Sequence, residues 1–147
     1  MESIDFDVLR GEIVNILAKE QLLVLATAAD GRVTARTICH ASDGLDIYFG
    51  TSNKSEKYAQ MKANPNVALA IGNIQIEAVA EDCGNPEANP AFVKLFNAKF
   101  PHLAGLYPPK EDDVVVKCTP TKLSLYKYVG HPAWEILYPD LQQAYRQ

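Results

Sequence analysis

The residues that could do chemistry concentrate between positions 32 and 62. Arg32, Arg36, Lys54, Lys57 and Lys62 stand against Asp43, Asp46 and Glu56, so this segment carries +2 on a chain of net charge −4. The rest of the chain therefore carries −6 (−4 minus +2). A positive segment on an acidic protein suits a small anionic ligand better than a polyanion. Thr51, Ser52 and Ser55 place hydroxyls around the start of a helix that directly follows a strand. The first N–H groups of a helix lack internal partners and, with the helix dipole, favour an anion. Lys54 and Lys57 are one turn apart and could flank the same ligand. Arg36, on a nearby strand, could supply a two-pronged contact to phosphate. Helix capping and solvated surface cations account for the same residues equally simply, and spacing alone leaves both readings open.

Elsewhere the reactive residue types are scattered. Cys39, Cys83 and Cys118 are odd in number and far apart, which reads as free thiols rather than a disulfide framework or metal pair. His40, His102 and His131 are equally dispersed and form no ligand motif. No nucleophile–base signature stands out. The acidic balance, with a pI near 5.3, gives no overall drive toward nucleic acid. No apolar stretch is long enough for a membrane-spanning helix. The start, Met1-Glu2-Ser3-Ile4-Asp5, is acidic where a signal peptide would be basic, so the sequence reads as cytoplasmic. With 147 residues, 48% hydrophobic and 22% charged, one folded domain over 1–147 is expected.

The elements that must position these residues follow from periodicity. Leu9, Ile13, Ile16 and Leu17 mark one face of a helix over 5–20, with Asp5 or Asp7 at its N-terminus. The run 21–28 is nearly all apolar and reads as a strand buried on both faces. Asp30-Gly31 then turns the chain into a strand over 32–40, and Asp43-Gly44 turns it again into 45–49. In this reading the Arg36 strand pairs with the strand over 45–49. A helix is predicted over 54–63, capped by Asn53 with Glu56 three residues on, and ended by Asn64-Pro65. Strands over 67–71 and 74–81 flank a Gly72-Asn73 hairpin turn. A helix over 90–99 follows, with strands over 114–118 and 121–129 joined through Thr119-Pro120 as a bend or bulge. A short helix over 137–146 closes the chain. Seven or so strands with tight links predict an α+β fold, an antiparallel barrel with short flanking helices.

Taken in order, Arg36-Thr37-Ile38, Ile47-Tyr48-Phe49-Gly50-Thr51, Ser55, Lys57 and Asn64-Pro65-Asn66-Val67 resemble the pyridoxamine 5′-phosphate oxidase-like family of FMN-binding split barrels. The likeness continues through Ile74-Gln75-Ile76-Glu77-Ala78-Val79-Ala80-Glu81 and is looser beyond about residue 82. The resemblance implies that Arg36 and Lys57 bind the FMN phosphate, with hydroxyl or backbone contacts from Thr51, Ser52 and Ser55. It implies that the backbone of Thr37 and Ile38 lines the flavin ring and that Gln75 bonds its polar edge. It also implies a homodimer with FMN at the subunit interface, where Trp134 of one subunit would cover the other's flavin, or else simply anchor the tail. His40 would stand near the ring or be structural. Tyr48, Tyr126 and Tyr128 would face a pocket or pack in the sheet.

The sequence departs from the vitamin-synthesis enzymes of the family. The residue before Lys57 is acidic Glu56, position 41 is Ala41 rather than Lys, and the C-terminal segment has no Arg-x-His pair. The resemblance is therefore to the small flavin reductase and nitroimidazole-resistance type. It implies an FMN-dependent oxidoreductase acting on a small molecule. The alternatives are a non-catalytic flavin-binding or redox-sensing module, or a haem or deazaflavin binder on the same barrel.

Overall fold

A computed structural model describes residues 1–128, 130 and 132–147; Val129, read above as the end of a strand, and His131 lie outside the described residues. Strand β1 (Glu2–Ile4) leads into helix α1 (Phe6–Lys19). Asp5 caps α1, its carboxylate accepting from the N–H of Val8 at 3.0 Å. Leu9, Ile13 and Leu17 bury the expected face of this helix in the core.

The hairpin of β2 (Leu22–Ala29) and β3 (Arg32–Cys39) turns at Asp30-Gly31, both with positive φ as this turn requires. Strand β2 is buried on one face only. Leu23, Leu25 and Thr27 point inward, whereas Leu22 and Val24 are exposed. Expecting both faces covered was wrong for the single chain, and this apolar outer face bears on assembly below.

The chain then breaks at His40, so β3 does not hairpin with the next long strand as expected. A short β4 (Ala41–Asp43) pairs with β5 (Asp46–Ser52) instead, and the two-residue turn is Gly44-Leu45, one residue later than read from the sequence. His40 is fully buried, with Nε2 3.1 Å from the Leu17 carbonyl at the end of α1 and 3.2 Å from Lys99 Nζ. Lys99 also donates to the carbonyls of Leu17 and Glu20. This corner ties three segments together and turns the chain from one part of the sheet to another.

Helix α2 (Glu56–Ala63) begins two residues later than expected. Its cap is Ser55, not Asn53, because β5 runs on to Ser52 and a turn at 53–54 delays the helix. Strands β6 (Asn66–Ile71) and β7 (Ile74–Asp82) form the predicted hairpin about Gly72-Asn73. Helix α3 (Pro90–Lys99) follows a 3-10 turn. The long β8 (Asp113–Lys127) absorbs both predicted strands. It pairs with β5 and β9 as well as β7, and Thr121 is the extra residue of a bulge between Lys122, opposite Glu77, and Pro120, opposite Ala78.

The closing helix over 137–146 is absent. That segment completes β9 (Ala133–Tyr138) and forms β10 (Gln143–Arg146), a hairpin on the free edge of β8. Pro139 interrupts any helix there, and Gln142 adopts positive φ in the turn. The paired Leu137 and Ala144 are buried in the core. Glu135, 5% exposed, is neutralised by Lys127 at 2.9 Å and Arg146 at 2.8 Å. The result is one antiparallel sheet of ten strands with three α-helices among the described residues, an α+β split barrel. No described helix is long and apolar enough to cross a membrane.

Burial first and Lys99 second lower the His40 imidazole from its ordinary 6.5 to about 4. In the unfolded chain His40 regains its ordinary value, so its contribution to stability is complete above pH 6.5. That contribution fades as the pH falls toward 4. Urea unfolding at pH 5 compared with pH 7.5 is expected to lose roughly 2 kcal/mol from this group. His40→Gln should flatten that part of the profile; an unchanged pH slope in a folded variant contradicts the assignment.

Candidate functional site

Inward-facing residues of β3 alternate as Thr34, Arg36 and Ile38, half-buried beneath the gap that α2 spans. Lys57, in the first turn of α2, faces Arg36. Burial first and the Arg36 charge second lower the Lys57 ammonium below its ordinary value. Among the described residues neither cation is within ion-pair distance of a carboxylate. Glu56, acidic where the vitamin-synthesis enzymes are basic, turns away and pairs with Arg32 at 3.1 Å on the open surface. The site therefore keeps its positive charge.

The Arg36 guanidinium is held from behind. Nη1 donates to Thr27 Oγ1 at 2.8 Å and the Leu25 carbonyl at 3.3 Å, and Nη2 donates to Thr34 Oγ1 at 2.6 Å. Both hydroxyls donate in turn to Gln60 Oε1, at 2.5 and 2.6 Å. Sequence reasoning missed Thr27, Thr34 and Gln60. The available signal was a single polar residue, Thr27, on the buried face of a strand.

The strand–helix junction brings Thr51, Ser52 and Ser55 together. Ser55 Oγ donates to the Ser52 carbonyl at 2.8 Å and accepts from the N–H of Tyr58 at 3.2 Å. Its one proton is thus committed, so in its 3.0 Å contact with Thr51 the Thr51 hydroxyl is the donor. Ser52 Oγ donates to Asp112 at 2.8 Å and accepts from the N–H of Lys54. These hydroxyls shape the turn, while helix geometry leaves the N–H groups of Glu56 and Lys57 without intrahelical acceptors. Lys54 lies in the turn before α2 and is exposed.

Beside Lys57 opens a cavity of about 470 Å³ lined by Ile38, Gly50, Lys57, Phe92, Phe96 and Tyr107 among others. The space beside the Gly50 Cα is open, with nothing within 4 Å of where a Cβ would stand. Helix α3 and the segment 105–109 therefore wall the site. A half-buried cation pair beside an apolar, aromatic-walled cavity fits a ligand with a phosphate at one end and a flat apolar body at the other.

Not every predicted residue joins this cluster. Thr37 and Gln75 lie on the outer face of the sheet, in one row with Val24 and Ala70. Three strand spacings separate them, about 14 Å. His40 lies inside the fold and does not line the cavity. Tyr48 lines a smaller depression with Lys117 and Cys83, and Trp134 packs on Tyr126 with ring centroids 5.0 Å apart.

Comparison with known proteins bears on the family and the fold. The chain is 30% identical to General stress protein 26 of Bacillus subtilis (strain 168) over 64 residues, 44% of this chain. That match spans 46% of the relative's length, less than half of it. The structure resembles that of an F420 reductase with a TM-score of 0.62 at 26% identity, covering 75% of this chain and 94% of the other. It also shares the fold of HutZ, the haem storage protein of Vibrio cholerae, with a TM-score of 0.67 at 17% identity and coverage of 78% and 92%. The family model described as pyridoxamine 5′-phosphate oxidase matches residues 9–127, which hold both site cations and the strands around them, and the chain belongs to that family.

Proposed function

We propose that this protein is an FMN-binding oxidoreductase that acts on a small molecule. The observation that carries the reading is the half-buried pairing of Arg36 with Lys57 where no carboxylate balances them. Two such cations need an anion of about two charges, and a terminal phosphate monoester supplies it. Arg36 and Lys57 would hold that phosphate, with contacts from Thr51, Ser52 and Ser55 and the first N–H groups of α2. The backbone of Thr37 and Ile38 would border the ring, with the aromatic-walled cavity beside it. When bound, FMN supplies the electron- and hydride-transfer chemistry, while these residues bind and orient it and limit access of water. A deazaflavin on the same barrel is the second reading, favoured by the likeness to an F420 reductase.

The site is proposed to be completed in a homodimer. Gln75 sits on the outer face of the sheet, away from the inward side chains of Arg36 and Ile38, and Leu22, Val24, Val33 and Val79 expose apolar surface on that face. A second copy seated on that face would bury it and bring its Gln75 and Trp134 to the first copy's flavin. Light scattering at micromolar concentration should give twice 16.2 kDa; a persistent monomer overturns this arrangement.

Arg36→Ala and Lys57→Ala should each weaken FMN binding by about 1.5–3 kcal/mol, the range for hydrogen bonds to charged groups. Binding of riboflavin, which lacks the phosphate, should change little. Fluorescence titration of folded variants checks this, and unchanged FMN affinity in both contradicts their role.

A further inference from the structure

We infer that Gln60 is a positioning residue that aims the Arg36 guanidinium through the hydroxyls of Thr27 and Thr34, without touching the ligand. The inference rests on the reading that the site holds a phosphate monoester. A guanidinium carries five N–H donors in a rigid plane. Three are engaged from behind, by Thr27, Thr34 and the Leu25 carbonyl. The two threonine oxygens stand 3.4 Å apart, a spacing suited to the end-on fork formed by Nη1 and Nη2. Nε–H and the second N–H of Nη2 remain. They are parallel neighbours on one edge, the geometry that meets two phosphate oxygens at once.

This arrangement needs both hydroxyls to accept from Arg36, so both must send their protons elsewhere. Gln60 Oε1 takes both, at 2.5 and 2.6 Å. Gln60 Nε2 donates to the Arg32 carbonyl at 3.4 Å, which sets which end of the amide faces the threonines. Thr27 is 1% and Gln60 6% exposed, so bulk water does not take over at Thr27, while Thr34 is half-buried. With Leu at position 60, each hydroxyl proton loses the shared acceptor. The hydroxyls can then turn toward each other across 3.4 Å, and the two N–H groups of Arg36 lose fixed partners. Gln60 lies one turn after Lys57, so α2 carries one cation of the site and the device that aims the other.

The test compares FMN with riboflavin on Gln60→Leu, Thr34→Val and Thr34→Ser proteins that retain a cooperative melt. Gln60→Leu and Thr34→Val should lose about tenfold in FMN affinity, equivalent to one ordinary to charge-assisted hydrogen bond. Riboflavin affinity should stay within about twofold, and Thr34→Ser should bind FMN as the unaltered protein does. Equal losses for both ligands, or a Thr34→Ser variant as weak as Thr34→Val, overturn the inference. A second readout needs no cofactor: nitrogen-15 NMR of the Arg36 side chain. Rotation about its Cζ–Nη bonds should be hindered in the unaltered protein and released in Gln60→Leu. Free rotation in both overturns the inference even if FMN binds. Hindered rotation in a protein that binds no FMN leaves the positioning device standing and removes the phosphate reading.

Discussion

Two like charges held side by side and partly out of water repel each other, and that repulsion must be borne by the rest of the fold. Arg36 and Lys57 are in this position. Burial first and the Arg36 charge second lower the Lys57 ammonium below its ordinary value. The barrel supports the pair by a division of labour. Strand β3 presents Arg36 on its inner face, α2 presents Lys57, and the Thr27–Thr34–Gln60 network keeps the guanidinium in register with the helix. The largely apolar wall beside Lys57 leaves room there for the flat body of a ligand.

That geometry depends on strands distant in sequence. Strand β8 joins β5, β7 and β9, and its bulge at Thr121 lets one strand bend around the barrel. The β9–β10 hairpin covers the remaining edge of β8, with Lys127, Glu135 and Arg146 locked at its end. The His40–Lys99 corner fixes where α1, α3 and the β3–β4 junction meet. Helix α3 is both an anchor, through Lys99, and a cavity wall, through Phe92 and Phe96.

Much of this was legible in the residue pattern because the signals were local. The Asp30-Gly31 and Gly72-Asn73 turns, the buried face of α1 and the alternation of Thr34, Arg36 and Ile38 all follow from neighbours in sequence. The errors arose where tertiary pairing decided between local alternatives. Asn53 with Glu56 and Ser55 with its own first turn are both competent caps; the run of β5 to Ser52 selected Ser55. Leu137, Leu141 and Ala144 have helical spacing, but Pro139 and the open edge of β8 drew the segment into strands. The outer face of β2 looked like buried core because Leu22 and Val24 are apolar, yet no described part of the chain folds over them. Gln60 was unreadable for a different reason. Its role exists only through two threonines on a hairpin about thirty residues away.

The most direct measurement is an absorbance and fluorescence titration of the purified protein with FMN, run beside riboflavin under identical conditions. Saturable FMN binding with perturbed flavin bands is expected, with riboflavin weaker by about a hundredfold or more. That difference reflects two charge-assisted hydrogen bonds that riboflavin, without a phosphate, cannot make. Equal affinity for the two flavins, or no binding of FMN, would contradict a phosphate held between Arg36 and Lys57.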